Sequence, residues 1–232
     1  MALRAMAIGA AGAAVGLHGV PPQAYAAPPA AAGSDCANTE VIFARGTFEP
    51  AGVGAVGQAF VDALQARTPD QRIDVYVVNY PASLDFPRAA EGVADAANRV
   101  RDVAARCPMT KIVLGGYSQG AAVVAYLTAD TLPEGYVLPG DIADTLPPEV
   151  ARHVDAVALF GKPSPQFLNL VYRDAPPIVI GAGFSDKTVD LCALSDPVCD
   201  SAGSDRGAHS AYIANGMVDQ AADFAARRVD RG

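Results

Sequence analysis

The chemistry of this chain starts at Gly116-Tyr117-Ser118-Gln119-Gly120. A serine with glycines two positions away on either side is the pattern of a nucleophile elbow. In that turn a strand passes sharply into a helix, the serine backbone is strained, and small flanking residues let neighbouring chain come close. In a sequence with 22 glycines the pattern alone is a modest signal. Its address strengthens it: the apolar run 111–115 ends directly before it, and residues 119–127 read as a helix directly after it. The competing reading is a glycine-rich turn with a bystander serine.

A serine hydroxyl attacks only when an imidazole takes its proton. Beyond the apolar N-terminal stretch that holds His18, the histidines are His153 and His209. His153 stands at the amino end of the apolar run 154–160, whereas ligand sites in parallel sheets gather at carboxyl ends, so it reads as a surface or packing residue. His209 follows a polar loop late in the chain, where the order serine, acid, histidine places the base. Asp174, Asp186, Asp190, Asp196, Asp200 and Asp205 all lie in the interval open to the acid. A carboxylate that orients a histidine must be held still, and Asp196 sits between Cys192 and Cys199, inside the loop a disulfide would close. Asp186, in a Gly-rich turn after the apolar run 178–180, is the alternative, and the other aspartates read as solvated loop charges. An oxyanion also needs donors. One is expected from the backbone N–H of Gln119, and another from Arg45-Gly46-Thr47 after the first strand, where Thr47 offers an N–H and a hydroxyl unless it is a plain turn residue.

These residues need a scaffold, and the hydrophobic pattern supplies one. Short apolar runs at 40–44, 73–79, 111–115 and 154–160, with a last strand somewhere in 177–191, alternate with helical stretches at 55–67, 87–106, 119–127 and 209–227. Residues 130–148, dense in Pro, Gly and acids, read as a loop. Alternating strands and helices predict an α/β three-layer sandwich, a central and mostly parallel sheet flanked by helices. There is no internal repeat, and residues 36–232 are expected to form one domain. A rival motif, Gly52-Val53-Gly54-Ala55-Val56-Gly57, fits the dinucleotide fingerprint. It lies well beyond the strand ending at Ala44, and the next strand runs into Asn79-Tyr80-Pro81 without an acid for a ribose, so it reads as the approach to a helix.

The chain of 232 residues is 51% hydrophobic and 18% charged, with 18 prolines, which excludes a disordered, collagen-like or disulfide-dense miniprotein. A net charge of −8 without a run of Lys or Arg argues against nucleic acid as a partner. Arg4, the apolar run 5–17 and Ala24-Tyr25-Ala26 read as a secretory signal over residues 1–26, followed by a flexible leader over 27–35. His18, Pro21, Pro22 and Gln23 interrupt the run too early for a transmembrane anchor, so no stable membrane insertion is expected, and no Cys follows to carry a lipid. In an exported chain the four cysteines read as two disulfides. Three pairings are possible, and the short spacing favours Cys192–Cys199, with Cys36–Cys107 as a long-range staple. Without a Cys-x-x-Cys pair or a suitably spaced histidine, zinc is disfavoured, and no metal or organic cofactor is expected.

With Ser118, Asp196 and His209 in place, the chain resembles the cutinase family of serine esterases, small members of the α/β-hydrolase class. The resemblance rests on Ala44-Arg45-Gly46-Thr47, on Gly116-Tyr117-Ser118-Gln119-Gly120, and on the block from Cys192 through Asp196 to Cys199 with His209 following it. It runs from about Cys36 to the C-terminal helix and looks closer to the bacterial than to the fungal members. It implies a lid-less domain, ranks Asp196 above Asp186, makes Thr47 and Gln119 the oxyanion hole, and carries the Cys36–Cys107 pairing. The expected activity is hydrolysis of carboxylic esters, from short- and medium-chain acyl esters to lipids or cutin-type polyesters, by a secreted or envelope-associated monomer. A phospholipase, thioesterase or acyltransferase would use the same machinery with a different groove, and a non-catalytic envelope binding protein would keep only the core. Leu194, Pro197, Val198, Leu84 and Phe86 are candidates for the acyl groove or for simple packing, and residues 130–148 and 164–177 are candidates to border it.

Overall fold

The computed structural model describes residues 36–131, 146–173 and 175–230; the expected signal and leader lie outside them, as does most of the 130–148 loop. Five strands, β1 (Thr39–Ala44), β2 (Ile73–Val77), β3 (Lys111–Tyr117), β4 (Val154–Phe160) and β5 (Thr188–Leu191), form one parallel sheet in the order β2-β1-β3-β4-β5. Among the described residues six helices accompany them: α1 (Gly54–Arg67), α2 (Ala89–Arg106), α3 (Gln119–Leu127), α4 (Pro148–Ala151), α5 (Pro165–Val171) and α6 (Met217–Val229).

Side chains alternate across a strand, so each strand feeds two cores. Val41 and Phe43 join Val56, Phe60 and Leu64 of α1 and Ala221, Ala222 and Ala225 of α6. Ile42 and Ala44 face the other way, with Ile112, Leu114, Val93 and Val100 of α2, and the wholly buried α3. The result is the three-layer sandwich expected from the sequence. The chain steps from β1 to β2 on one side and returns to β3 on the other, and α/β folds bind ligands at the carboxyl ends beside such a switch. Ala44 pairs with Gly116, so the segments after β1 and β3 leave the sheet side by side.

Three elements differ from their sequence expectation. The strand from Ile73 ends at Val77, because after Val78 N–H bonds the Phe43 carbonyl the chain turns away through Pro81. Residues 164–177 contain α5, capped by Ser164, whose Oγ accepts from Phe167 N–H at 3.2 Å, with Pro165 in the first turn. The final helix begins at Met217 rather than His209: residues Ala208–Ser210 form a 3₁₀ turn, and Gly216 adopts a left-handed φ of 78° before α6 starts.

Candidate active site

Ser118 sits between β3 and α3 with φ 55° and ψ −118°, a strained conformation for a non-glycine residue. Its N–H is tied to the Phe160 carbonyl at 2.8 Å. The two glycines have separate reasons to be there. A Cβ on Gly116 would strike the Gly120 carbonyl, and a Cβ on Gly120 would strike the Ala44 carbonyl, so the first turn of α3 lies directly on β1.

Three predicted residues come together across the carboxyl edge of the sheet. His209 Nε2 lies 2.9 Å from Ser118 Oγ, and His209 Nδ1 lies 2.8 Å from Asp196 Oδ2. Asp196 is fully buried, and its Oδ1 accepts the Val198 N–H at 2.9 Å. The loop carrying Asp196 is closed by the Cys192–Cys199 disulfide, and a second disulfide joins Cys36 to Cys107. Tyr117 stacks on the His209 ring at a centroid distance of 5.1 Å and donates its hydroxyl to the His209 carbonyl at 2.6 Å. Burial, and then the negative charges of Glu49 and Asp196, push the Tyr117 phenol up to about 12, so it stays a neutral donor at working pH.

The donor side of the site is braced just as firmly. Glu49 accepts the Gly46 N–H at 2.6 Å and the Ala55 N–H at 2.9 Å, Phe48 N–H bonds the Ala82 carbonyl at 2.8 Å, and Arg45 reaches the Glu49 and Tyr80 carbonyls. Thr47 is thereby held in a short loop facing Ser118. Gln119 opens α3, so its N–H has no acceptor within the helix and points with the positive end of the helix dipole toward the serine.

A cavity of about 280 Å³ joins Thr47, Ser118, Gln119 and His209 to an apolar wall that includes Leu84, Phe86, Phe167, Val171 and Val198. Of the groove candidates, Leu84, Phe86 and Val198 line it; Leu194 and Pro197 do not, and Leu194 projects from the surface at 89% exposure. Phe167 and Val171 bring the 164–177 segment to the groove as expected, carried by α5, a helix that the Ser164-Pro165 start signal could have revealed. A larger cavity of about 480 Å³ near Arg101, Leu146 and Phe184 holds none of the reactive residues. Chemistry rather than size therefore selects the site. His153 stands at the amino end of β4, and Asp186 in the 3₁₀ turn before β5, both at the far end of the sheet from Ser118.

Comparison with known proteins agrees with this architecture. The family model described as Cutinase matches residues 35–229. Probable carboxylesterase Culp5 of Mycobacterium tuberculosis is 49% identical over 176 residues, covering 76% of this chain and 98% of the relative. Phospholipase Culp4 of the same organism is 46% identical over 204 residues, covering 88% and 83%. Among solved structures, Trichoderma reesei cutinase in complex with a phosphonate inhibitor superposes with a TM-score of 0.63 at 30% identity, covering 84% of this chain and 77% of that one. By the extent of the family match and the level of these identities, the chain belongs to the cutinase family.

Proposed function

We propose that this protein is a secreted serine esterase that cleaves carboxylic esters through an acyl-enzyme, with Ser118, His209 and Asp196 as its triad. Ester hydrolysis follows from the family and from relatives named as carboxylesterases. The assignment of roles rests on one observation, the continuous path from Ser118 Oγ through both His209 nitrogens to a fully buried carboxylate.

Ser118 Oγ attacks the ester carbonyl carbon while its proton passes to His209 Nε2. Asp196 holds Nδ1 in its protonated form and stabilises the imidazolium. The carbonyl oxygen, now negative, is received by the Gln119 N–H and by Thr47, and each such donor is worth about 10²- to 10³-fold in rate. Collapse expels the alcohol, which takes the proton from His209. Water then repeats the sequence on the acyl-enzyme, releasing the acid and restoring Ser118.

The apolar wall of the groove suits an uncharged acyl chain of short to medium length, and longer lipid or cutin-type esters would extend past its exposed rim at Phe48 and Leu84. A phospholipase reading is the second choice, favoured by the resemblance to a relative named as one. Export fits the N-terminal 1–26 signal pattern, the 27–35 leader and two disulfides in a domain spanning 36–232. Among the described residues no helix is long and apolar enough to cross a membrane. We assign a monomer without nucleic acid, metal or organic cofactor.

The test is the intact mass of the protein after exposure to a fluorophosphonate, alongside Ser118→Ala. One adduct on the wild type and none on the folded variant supports the mechanism. No adduct on well-folded wild type, or full turnover in Ser118→Ala, would sink it. A panel of carboxylic esters and phospholipids then separates the two substrate readings.

A further inference from the structure

Asp196 Oδ2, the oxygen that faces His209, carries a second hydrogen bond that the triad does not require. Tyr212 Oη lies 2.5 Å from it. The direction of this bond is settled by its neighbours: the Ala193 N–H, which can only donate, occupies the acceptor side of the same phenol oxygen at 3.2 Å. The phenol proton is left for the carboxylate, since the other neighbour of this oxygen among the described residues, the disulfide sulfur of Cys199 at 3.4 Å, is a weak acceptor. Tyr212 is fully buried, edge-on to Phe160 at 6.1 Å and to Tyr117 at 5.9 Å, so the hydroxyl is delivered by a ring that cannot turn away.

We propose that Tyr212 is a positioning residue for ester hydrolysis, its phenol setting the basicity of Asp196 and, through Asp196, the pH at which His209 becomes able to accept the serine proton. The inference rests on the triad reading above. A hydrogen bond to a carboxylate favours its charged form and draws density from the accepting oxygen. Oδ2 is then a weaker partner for the imidazolium, which makes the acid limb of the rate profile the readout of the phenol. With the Val198 N–H on Oδ1, the phenol also fixes the rotation of the carboxylate. Burial, then the Asp196 bond, raise the Tyr212 phenol above its ordinary range, so it keeps its proton wherever the enzyme works.

The other groups around His209 are the stacked Tyr117 from β3, Glu49 from the loop after β1, which acts through Tyr117, and Ser118. Lys162, paired with Asp190 at 3.2 Å, follows Gly161, whose backbone adjoins the ring, and Asp205 caps the Gly207 N–H just before it. Tyr212→Phe leaves each of these side chains chemically unchanged.

The experiment is the pH profile of kcat/KM on a short-chain ester, followed by pH-stat, for wild type, Tyr212→Phe and protein carrying 3-fluorotyrosine at position 212 alone. Tyr212→Phe removes the donor and should move the acid limb up by about half a pH unit or more, whereas the more acidic fluorophenol donates more strongly and should move it down. A purely structural tyrosine would lower Tm in Tyr212→Phe and leave the limb in place. Should Tyr212→Phe fail to fold, the fluorotyrosine protein decides alone. Unmoved limbs with an inactive Ser118→Ala overturn this inference and spare the triad; an active Ser118→Ala overturns both.

Discussion

Gln119 Nε2 donates to the Ser83 carbonyl at 2.8 Å, which joins the residue after the nucleophile to the loop that carries Leu84 and Phe86 along the groove. One residue thus joins both parts of the site, its backbone N–H opening α3 beside Ser118 as the proposed oxyanion donor and its side chain tied to the loop of the apolar wall.

Gln119→Ala separates the two roles, because it keeps the N–H and removes only the tie to Ser83. The loop loosens, and KM should rise about 3- to 10-fold, the range expected for one hydrogen bond, while kcat stays within about 3-fold. Steady-state kinetics over an acyl-length series checks this. A collapse of kcat with KM unchanged would mean that the side chain acts in the transition state.

The choice of acid is open to a paired test. Asp196→Asn leaves the shape of the site but favours the wrong imidazole tautomer, and kcat should fall by about 10³- to 10⁴-fold. Asp186→Asn, at the far end of the sheet, should leave kcat within about 2-fold. Comparable losses in the two would refute the assignment.

The two disulfides should differ in opposite senses for stability and activity. Cys36–Cys107 closes a separation of 71 residues and Cys192–Cys199 one of 7, so loop entropy assigns them about 4 and about 2 kcal/mol. Replacing the long-range pair with serines should therefore lower the denaturation midpoint more, with kcat retained in the folded protein. Replacing the short pair should cost less stability and more kcat, because it frees the loop that holds Asp196. Urea unfolding combined with initial rates reads both quantities.

What could be read in the sequence was what local pattern encodes. The elbow announced itself because strand period, glycine spacing and helix onset coincide at Ser118, and the buried sheet because apolar runs such as 154–160 admit few other readings. The groove was less legible. Leu194 looked like a lining residue from its place beside Asp196, yet in a disulfide-closed turn neighbours in sequence point apart, and Leu194 faces solvent. The final helix starts later than the spacing predicts: Ile213 and Met217 keep helical spacing with the residues after them, although Gly216 interrupts the helix between them. Tyr212 was hidden for a different reason: nothing local marks a tyrosine whose partner, Asp196, lies 16 residues away across a turn.

The far end of the sheet decides how this molecule can be held on a support. Cys36 precedes β1 there, and Gln71 reaches from the turn before β2 both to Thr39 Oγ1 at 2.8 Å and to Asp230 Oδ1 at 2.7 Å. Cys36 and Asp230 therefore both lie at the pole opposite Ser118. A bead, a fused carrier or a wall attachment at either of those points would hold the protein by its base, with the mouth turned outward toward the material to be cut.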